Sequence, residues 1–179
     1  ALSSGPGVSG IAIIRISGPE ASNVIKSLTG KNIPKPRMAT LRKINNSNTS
    51  ELIDEGIIIW FPGPESYTGE DIAEIHVHGG KAVVIAVQNE ISKFKNCRLA
   101  EPGEFTKLAF QNGKINLLKA ESIGDLISAE TEIQRLQALK VMKGKSSDKF
   151  NELRETLLKI LSFVEAKIDF PEEDLPDEN

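Results

Sequence analysis

Both histidines of the chain lie in the segment EIHVHGG, residues 74 to 80, directly after a glutamate. On a strand, side chains alternate between faces, so Glu74, His76 and His78 share one face. At roughly 3.3 Å per residue, Glu74 and His78 lie about 13 Å apart, too far for all three to reach one ion at bond lengths of about 2 Å. The chain has no third histidine and its one cysteine, Cys97, is distant in sequence. A metal-dependent enzyme using His76 and His78 remains an alternative, beside a site for an organic ligand or a solvent-facing strand.

Two basic residues also stand where chemistry is possible. Arg15 interrupts the apolar run IAIIRIS and lies on one strand face with Ile11, Ile13 and Ser17. An arginine at the end of an apolar face is costly unless it is paired or directed at an anion, so the residues alone allow a partly buried Arg–carboxylate pair or an anion site. Lys114 follows the Asn-Gly of FQNGKIN, where a long cationic side chain can reach across a cleft or lie at the surface.

Phosphate-binding loops are excluded by counting. GPGVSG, at Gly5, Gly7 and Gly10, has the G-x-G-x-x-G spacing but precedes a strand, whereas a dinucleotide fingerprint follows a strand and opens a helix. The only Gly-Lys-Ser, at 144–146, has Leu139 where a Walker A loop needs glycine. We therefore expect this chain neither to bind nor to hydrolyse GTP, and no nucleophile-elbow pattern occurs either.

Composition sets broad limits on the class of protein. The 179 residues are 39% hydrophobic and 26% charged, as is usual for a soluble globular protein, and the net charge is −3. That charge gives a nucleic-acid-binding function no support.

A lone cysteine, Cys97, predicts no internal disulfide and a reducing compartment, with little sign of a reactive thiol. No apolar run is long enough for a membrane span. The first residue, Ala1, indicates a processed or trimmed chain.

The elements that must position these residues follow from periodicity. Four strands are predicted from IAIIRIS, MATLRKI, EGIIIWF and IAEIHVH, separated by polar segments such as NNSNTS, which we expect to be mobile. One helix should begin with Ser17 as its cap and stop at Gly30, and another should place one apolar face on the core. A third short helix should stop at Asn112 and Gly113. The residues of that apolar face are Val84, Val87, Ile91 and Phe94.

After Asn116 the pattern is helical throughout. Amphipathic helices are predicted from three segments: LLKAESIGDLIS, TEIQRLQALKVM and FNELRETLLKILSFVEAKI. The last two segments could also form one continuous helix. These helices cannot close a core by themselves, so they need partners from elsewhere. We therefore predict an α+β domain over 1–115, the first helices of an incomplete all-α domain over 116–170, and an acidic linker over 171–179. Their apolar stripes contain Ile133, Leu136, Phe150, Leu153, Leu157, Ile160, Leu161 and Val164.

Several motifs in order give the chain a specific resemblance. GIAIIRISGP, PKPR, DEGIIIWFPGPESYTGEDIAEIHVHGG, PGEFTKLAFQNGKINLLKAESIGDLISAET and VEAKIDFPEED together cover nearly the whole chain. They resemble the N-terminal part of the MnmE/TrmE family, the tRNA-modifying GTPases that act on wobble uridine. The resemblance implies a folate-binding domain with a mixed β-sheet and helices, similar to that of folate-dependent aminomethyltransferases, then a helical domain. A GTPase domain, with its GTP, magnesium and potassium, would be inserted beyond DFPEED.

The same resemblance implies a ligand and three residues that hold it. In the family, 5-formyltetrahydrofolate is bound by an arginine of the RISG strand, a glutamate before the HGG turn and a lysine of the N-x-K turn, which here are Arg15, Glu74 and Lys114. A carboxylate such as Glu74 can accept the ring N–H and the exocyclic amine of a pterin as a charge-assisted fork. Arg15 and Lys114 would offer positive charge to the ligand's anionic parts. His76 has no role derivable from the sequence.

Partners and location are also implied by the resemblance. It implies a homodimer formed by the N-terminal domain, an FAD-containing partner protein, and tRNA as the substrate of the full-length complex, with no membrane. HVHGGKAVV, AFQNGK and ALSSGPG look more like the mitochondrial branch, which favours the mitochondrial matrix over the bacterial cytoplasm. The remaining alternative is an assembly module that does not bind folate. The substituent placed on the uridine is not readable from the sequence.

Overall fold

The computed structural model describes residues 1–5 and 7–169, without the side chains of residues 145–147. The chain forms two units, Ala1–Ile115 and Asn116–Asn179, and each is described separately below. The acidic linker predicted over residues 171–179 lies outside the described residues.

The first unit is built on a four-stranded sheet. Its strands are β1 (Ser9–Ser17), β2 (Thr40–Asn45), β3 (Leu52–Phe61) and β4 (Ile72–Gly79), in the order β1-β4-β3-β2. All three strand pairings in the described residues are antiparallel, so the α+β class is confirmed but the expected mixed sheet is corrected to an antiparallel one. Antiparallel neighbours need no crossover helix, and β2 and β3 are joined by a short hairpin loop.

Three helices complete this unit: α1 (Ala21–Thr29), α2 (Lys81–Ser92) and α3 (Glu104–Gln111). Gly30 ends α1 in the left-handed conformation with φ +62°, as predicted, because glycine adopts that conformation without a Cβ clash. The predicted cap was wrong. Glu20 is the N-cap of α1, and Ser17 is the last residue of β1, where its hydroxyl contacts Thr68 instead. Helix α1 begins three residues after the predicted start, because residues 18–20 form the turn that connects β1 to α1.

One face of the sheet forms the hydrophobic core against α1 and α2. Its buried residues come from every strand and both helices, because alternate strand residues face inward. The predicted inward face of α2 is confirmed: Val87 is fully buried, while Val84, Ile91 and Phe94 pack partly buried against the core. The opposite face of the sheet carries Arg15, Glu74 and His76, which are each partly buried.

The second unit contains α4 (Leu117–Ser128), α5 (Glu132–Met142) and α6 (Lys145–Asp169), and α4 packs against α5. Thr131 and Gln134 form a capping box that starts α5. Helices α5 and α6 are not continuous, because the chain turns at Gly144, with φ +91°. The predicted apolar stripes are exposed, with Ile133 at 77% and Phe150 at 60%. Among the described residues, no helix is long and apolar enough to cross a membrane.

Candidate ligand-binding site

Arg15 and Glu74 are direct neighbours across the sheet. The antiparallel register of β1 and β4 places them opposite each other, on the face away from α1 and α2. Arg15 Nε donates to Glu74 Oε1 at 2.9 Å, and Arg15 Nη2 donates to the same oxygen at 2.6 Å. The side chains are only 31% and 16% exposed. Two of the three predicted site residues are therefore brought together as a partly buried ion pair, the pairing that the sequence left open for Arg15.

The second oxygen of Glu74 is less strongly engaged. His76 Nε2 lies 3.4 Å from Glu74 Oε2, which is longer than an ordinary hydrogen bond of 2.7–3.2 Å. The two Arg15 nitrogens that donate to Glu74, Nε and Nη2, both donate to Oε1. A carboxylate can accept about four hydrogen bonds, so Glu74 keeps acceptor capacity for a ligand that presents two donors side by side.

The two histidines are held by different carboxylates. His78 Nδ1 lies 2.8 Å from Asp54 Oδ1, and the His78 amide donates to Asp54 Oδ2 at 2.8 Å. Burial opposes ionisation of Asp54, but these hydrogen bonds outweigh it and hold the Asp54 pKa below its usual value. Within residues 1–5 and 7–169 no group of three His, Cys, Asp or Glu side chains could hold a metal ion. The geometry gives the metal alternative no support, although the predicted shared face of Glu74, His76 and His78 is confirmed.

Arg15 also lines a cavity of about 290 Å³ between the end of β1, the start of α1, residues 96–100 and α3. That volume is close to the lower limit of about 300 Å³ for pockets that hold drug-sized ligands. The Arg15 guanidinium carbon lies 5.6 Å from the centroid of the Phe105 ring, within the range of a cation–π contact. Glu74 and Lys114 are not among the cavity's lining residues, so Arg15 is the predicted residue that connects the ion pair to the cavity.

An Arg98–Glu104 pair closes another side of this cavity. Arg98 Nη1 donates to Glu104 Oε2 at 2.9 Å, and its Nη2 contacts Oε1. The amide of Glu101 donates to Glu104 Oε2 at 2.7 Å. The pKa of Glu104 is lowered to about 2, and the largest cause of this shift is the hydrogen bonding from Arg98. Glu104 is therefore a structural anion at the start of α3 and is not a proton donor near neutral pH.

Cys97 lies on the cavity wall without the features of a reactive thiol. It is partly buried, and burial followed by the negative charge of Glu20 raises its pKa. The thiolate is the nucleophilic form, so a raised pKa makes Cys97 less reactive than an exposed cysteine.

The loop between β3 and β4, residues 62–71, ties the end of β1 to the end of α3. Ser17 Oγ lies 2.7 Å from Thr68 Oγ1 and donates to Glu70 Oε2 at 3.0 Å. On the other side of the loop, Asn112 Nδ2 donates to the Thr68 carbonyl at 2.6 Å. Thr68 is fully buried, so the middle of this loop packs inside the unit between the two elements.

Lys114 lies beside the same loop. Helix α3 ends at Gln111 with Asn112 as its C-cap, so the predicted stop at Asn112 and Gly113 is confirmed. Gly113 has φ +67°, and the Lys114 amide then donates to the Ala109 carbonyl at 2.8 Å. A Cβ at Gly69 would lie 3.2 Å from Lys114 Cε, which shows how closely the lysine stem passes the loop. In the part of the chain that is described, Lys114 makes no hydrogen bond or ion pair with Arg15 or Glu74. The structure thus joins two predicted site residues directly and the third only through the loop.

Sequence reasoning missed the residues that support this arrangement. Phe105, Thr68 and Glu70 have no role in the sequence analysis, and Ser17 appears there only as a helix cap, yet these residues contact Arg15 or fix the loop. Three of them stand in the motifs PGEFTK and SYTGED, whose order was the available signal. Their contacts with Ser17, Arg15 and Asn112 join residues 44 or more positions apart, so no local pattern reveals them.

Nearly the whole chain matches family models of known proteins. The family model described as GTP-binding protein TrmE N-terminus matches residues 1–114, and that of the MnmE helical domain matches residues 117–179. The chain is 75% identical over 178 residues to a "tRNA modification GTPase MnmE" of Pelagibacter ubique, covering 99% of the chain and 40% of that protein. Proteins of the same name from Parvibaculum lavamentivorans and Rickettsia akari are 44% and 48% identical, over 98% and 99% of the chain and 40% of each protein. The chain thus spans about 40% of the length of these relatives, and it belongs to the MnmE/TrmE family as its N-terminal domain followed by residues of its helical domain.

Proposed function

We propose that this chain is the folate-binding and dimerising part of a tRNA-modifying GTPase that acts on C5 of wobble uridine. The observation that carries the proposal is the partly buried Arg15–Glu74 pair, which lies on the sheet face opposite α1 and α2 and whose arginine lines a cavity. The relatives are named as tRNA modification GTPases, and this chain matches their N-terminal and helical parts.

The proposed ligand is 5-formyltetrahydrofolate, with Glu74 as its pterin-binding residue. A pterin presents a ring N–H and an exocyclic amine side by side, and these match a carboxylate that has a weakly engaged oxygen. Arg15 fixes Glu74 through Oε1, so the carboxylate is oriented before the ligand arrives. Preorganisation of this kind lowers the entropic cost of binding.

Arg15, Phe105 and Lys114 have complementary roles in this proposal. Phe105 and the Arg15 guanidinium form one wall of the cavity, on which a flat ring can stack. Lys114 is exposed beside the 62–71 loop, where its ammonium group can meet an anionic part of the ligand. The one-carbon chemistry belongs to the folate when it is bound. These residues bind and orient the ligand.

Calorimetric titration with 5-formyltetrahydrofolate tests the pocket. Glu74→Ala should weaken binding by about 1.5–3 kcal/mol, about tenfold or more, because a charge-assisted fork is lost. Glu74→Gln should also bind worse, since an amide opposes two donors with a single acceptor oxygen. Glu55→Ala, an exposed carboxylate on the adjacent strand, is the matched control and should bind like the wild type.

Two results would count against this assignment. Equal affinity in Glu74→Ala, Glu74→Gln and Glu55→Ala would move the pterin contact away from Glu74. If the wild-type chain did not bind 5-formyltetrahydrofolate, an assembly module without folate would be favoured. In such a module the Arg15–Glu74 ion pair would only stabilise the sheet.

Dimerisation, partners and location are part of the same proposal. The sheet face opposite α1 and α2 exposes Ile11, Leu41 and Ile57, an apolar surface that a second copy can cover. The FAD-containing partner, the tRNA substrate, and the GTP, magnesium and potassium of a GTPase domain rest on the family resemblance. The relatives named above are bacterial, and the mitochondrial matrix stays a prediction beside the bacterial cytoplasm.

A further inference from the structure

Positive charge is concentrated in one segment of the first unit. Residues 26–43 contain six basic side chains and no Asp or Glu. Residues 1–115 as a whole carry 13 Lys and Arg against 11 Asp and Glu, so without this segment the unit would be acidic. The net charge of −3 for the whole chain hides this local excess. We call the six side chains the basic edge: Lys26, Lys31, Lys35, Arg37, Arg42 and Lys43.

The fold gathers the basic edge along one border of the sheet. Lys26 lies in the last turn of α1, which packs against β2. Arg42 and Lys43 belong to β2, which is an edge strand, and Arg37 lies just before it with its amide bonded to the Trp60 carbonyl. Lys31 and Lys35 lie in the connection between α1 and β2. At roughly 3.3 Å per residue, β2 from Thr40 to Asn45 is about 17 Å long.

None of these six side chains forms an ion pair with any residue that the structure describes. The Arg37 guanidinium donates to the Glu65 carbonyl and lies 5.7 Å from the Phe61 ring centroid. The Nε of Arg42 is buried without a hydrogen-bond partner. Glu55 stands across the strand pair from Lys43 but is not bonded to it. Five of the six side chains are exposed and Arg42 is partly buried, and no ion pair within the described residues neutralises them.

Protection of an edge strand explains only part of this pattern. Lysine on an edge strand discourages pairing with another strand, which accounts for Lys43. It does not account for Lys26, Lys31 and Lys35, which lie outside β2. A row of unpaired cations raises the local potential and attracts a partner with regularly spaced negative charges. The phosphate backbone of a nucleic acid has this spacing, and the relatives are named for a nucleic-acid substrate.

We propose that the basic edge binds the phosphate backbone of RNA, and that in the complete protein this RNA is the tRNA substrate. The assignment of the RNA as tRNA rests on the proposed function. The contact is to phosphates, so it positions the RNA and does not read its sequence. Each phosphate neutralised by a lysine contributes about 0.7–0.9 to the slope of log affinity against log salt concentration.

The test compares two triple variants of the 179-residue chain by fluorescence anisotropy with a labelled tRNA transcript over a range of salt. One variant is Lys31→Gln, Lys35→Gln and Lys43→Gln, and the matched control replaces three exposed lysines elsewhere in the same unit, Lys81, Lys95 and Lys107, by glutamine. The edge variant should bind tRNA about tenfold or more weakly at low salt, with a salt slope lower by about 2, because roughly three phosphate contacts are lost. The control should bind like the wild type.

Three outcomes would overturn the proposal: no binding of tRNA by the wild type at low salt, equal losses in both triple variants, or tighter binding of poly-glutamate or phosphatidylserine vesicles that depends on the same lysines. Thermal unfolding of both variants checks that they fold. A folate titration of the edge variant separates this proposal from the pocket, because an intact folate affinity with lost RNA binding affects the basic edge alone.

Discussion

Glu74 illustrates how far a single residue could be predicted. Its face of β4 follows from the alternation in IAEIHVH, and its proximity to a cation follows only from the register of β1 and β4. That register joins residues 59 positions apart, which no local pattern determines. The sequence left a paired and an anion-binding Arg15 open, and the structure places the paired arginine beside the cavity.

Glu104 gives a prediction at the scale of one titratable group. Hydrogen bonding from Arg98 lowers its pKa from 4.5 to about 2. A depressed folded-state pKa stabilises the protein above the unfolded value, and this contribution is lost as pH falls from 4.5 towards 2. We expect Glu104→Gln to lose less stability than the wild type between pH 5 and pH 3, measured by urea unfolding at each pH.

Other carboxylates also destabilise the fold in acid, so the comparison must be between variants. Asp54 has a lowered pKa as well, and Asp54→Asn serves as a second variant that acts at a separate site. If the wild type and Glu104→Gln lost stability in parallel through this window, the Arg98–Glu104 pair would be irrelevant to folding.

At the scale of elements, helices and strands were predictable while their anchors were not. The bounds of α4 and the core face of α2 follow from 3.6-residue periodicity. The hairpin loop NNSNTS is bonded to α2, because Ser47 N and Oγ donate to Glu90 Oε2 at 3.0 and 2.7 Å, while its expected mobility stays a prediction. Burial opposes ionisation of Glu90, but bonds from Lys93 and Ser47 outweigh it and lower its pKa. A contact across 43 residues has no local signature.

Gly56 supplies the prediction at this scale. A Cβ at this position of β3 would lie 2.1 Å from the His76 carbonyl oxygen of β4, so an alanine must push the two strands apart. We expect Gly56→Ala to destabilise the fold by about 1–3 kcal/mol, and to weaken folate binding because β4 carries Glu74. Thermal and urea unfolding measure the first effect and calorimetry the second.

Gly10→Ala is the matched control for Gly56→Ala. Gly10 also lies in a strand, and a Cβ there would meet nothing within 4 Å. If Gly56→Ala were as stable as Gly10→Ala, the close approach of β3 to β4 would not matter for the fold.

At the scale of the whole molecule, the two units differ in charge and in exposed apolar surface. Residues 116–179 carry 9 Lys and Arg against 14 Asp and Glu, whereas residues 1–115 have a small basic excess. The second unit exposes a row of large apolar side chains on α6 that includes Phe150, Leu153 and Leu157. The amphipathic pattern predicted these stripes, but the sequence alone could not show what covers them.

In the proposed function, two copies of the chain associate through their first units. We expect a homodimer in solution, held mainly by residues before Asn116, because an isologous contact survives truncation when its residues remain. Sedimentation equilibrium on the whole chain and on residues 1–115 measures this, and both should be dimeric. A monomeric short form beside a dimeric long form would assign the contact to the exposed helices instead.

The central claim is that Glu74, held by Arg15, receives the pterin of 5-formyltetrahydrofolate. A crystal structure of the chain with this ligand tests it most directly. We expect the pterin donors within about 3.2 Å of the Glu74 carboxylate oxygens, with Arg15 still beside Glu74 and the ligand's ring against the wall formed by Phe105. A ligand bound elsewhere, with the Arg15–Glu74 pair untouched by it, would contradict the account.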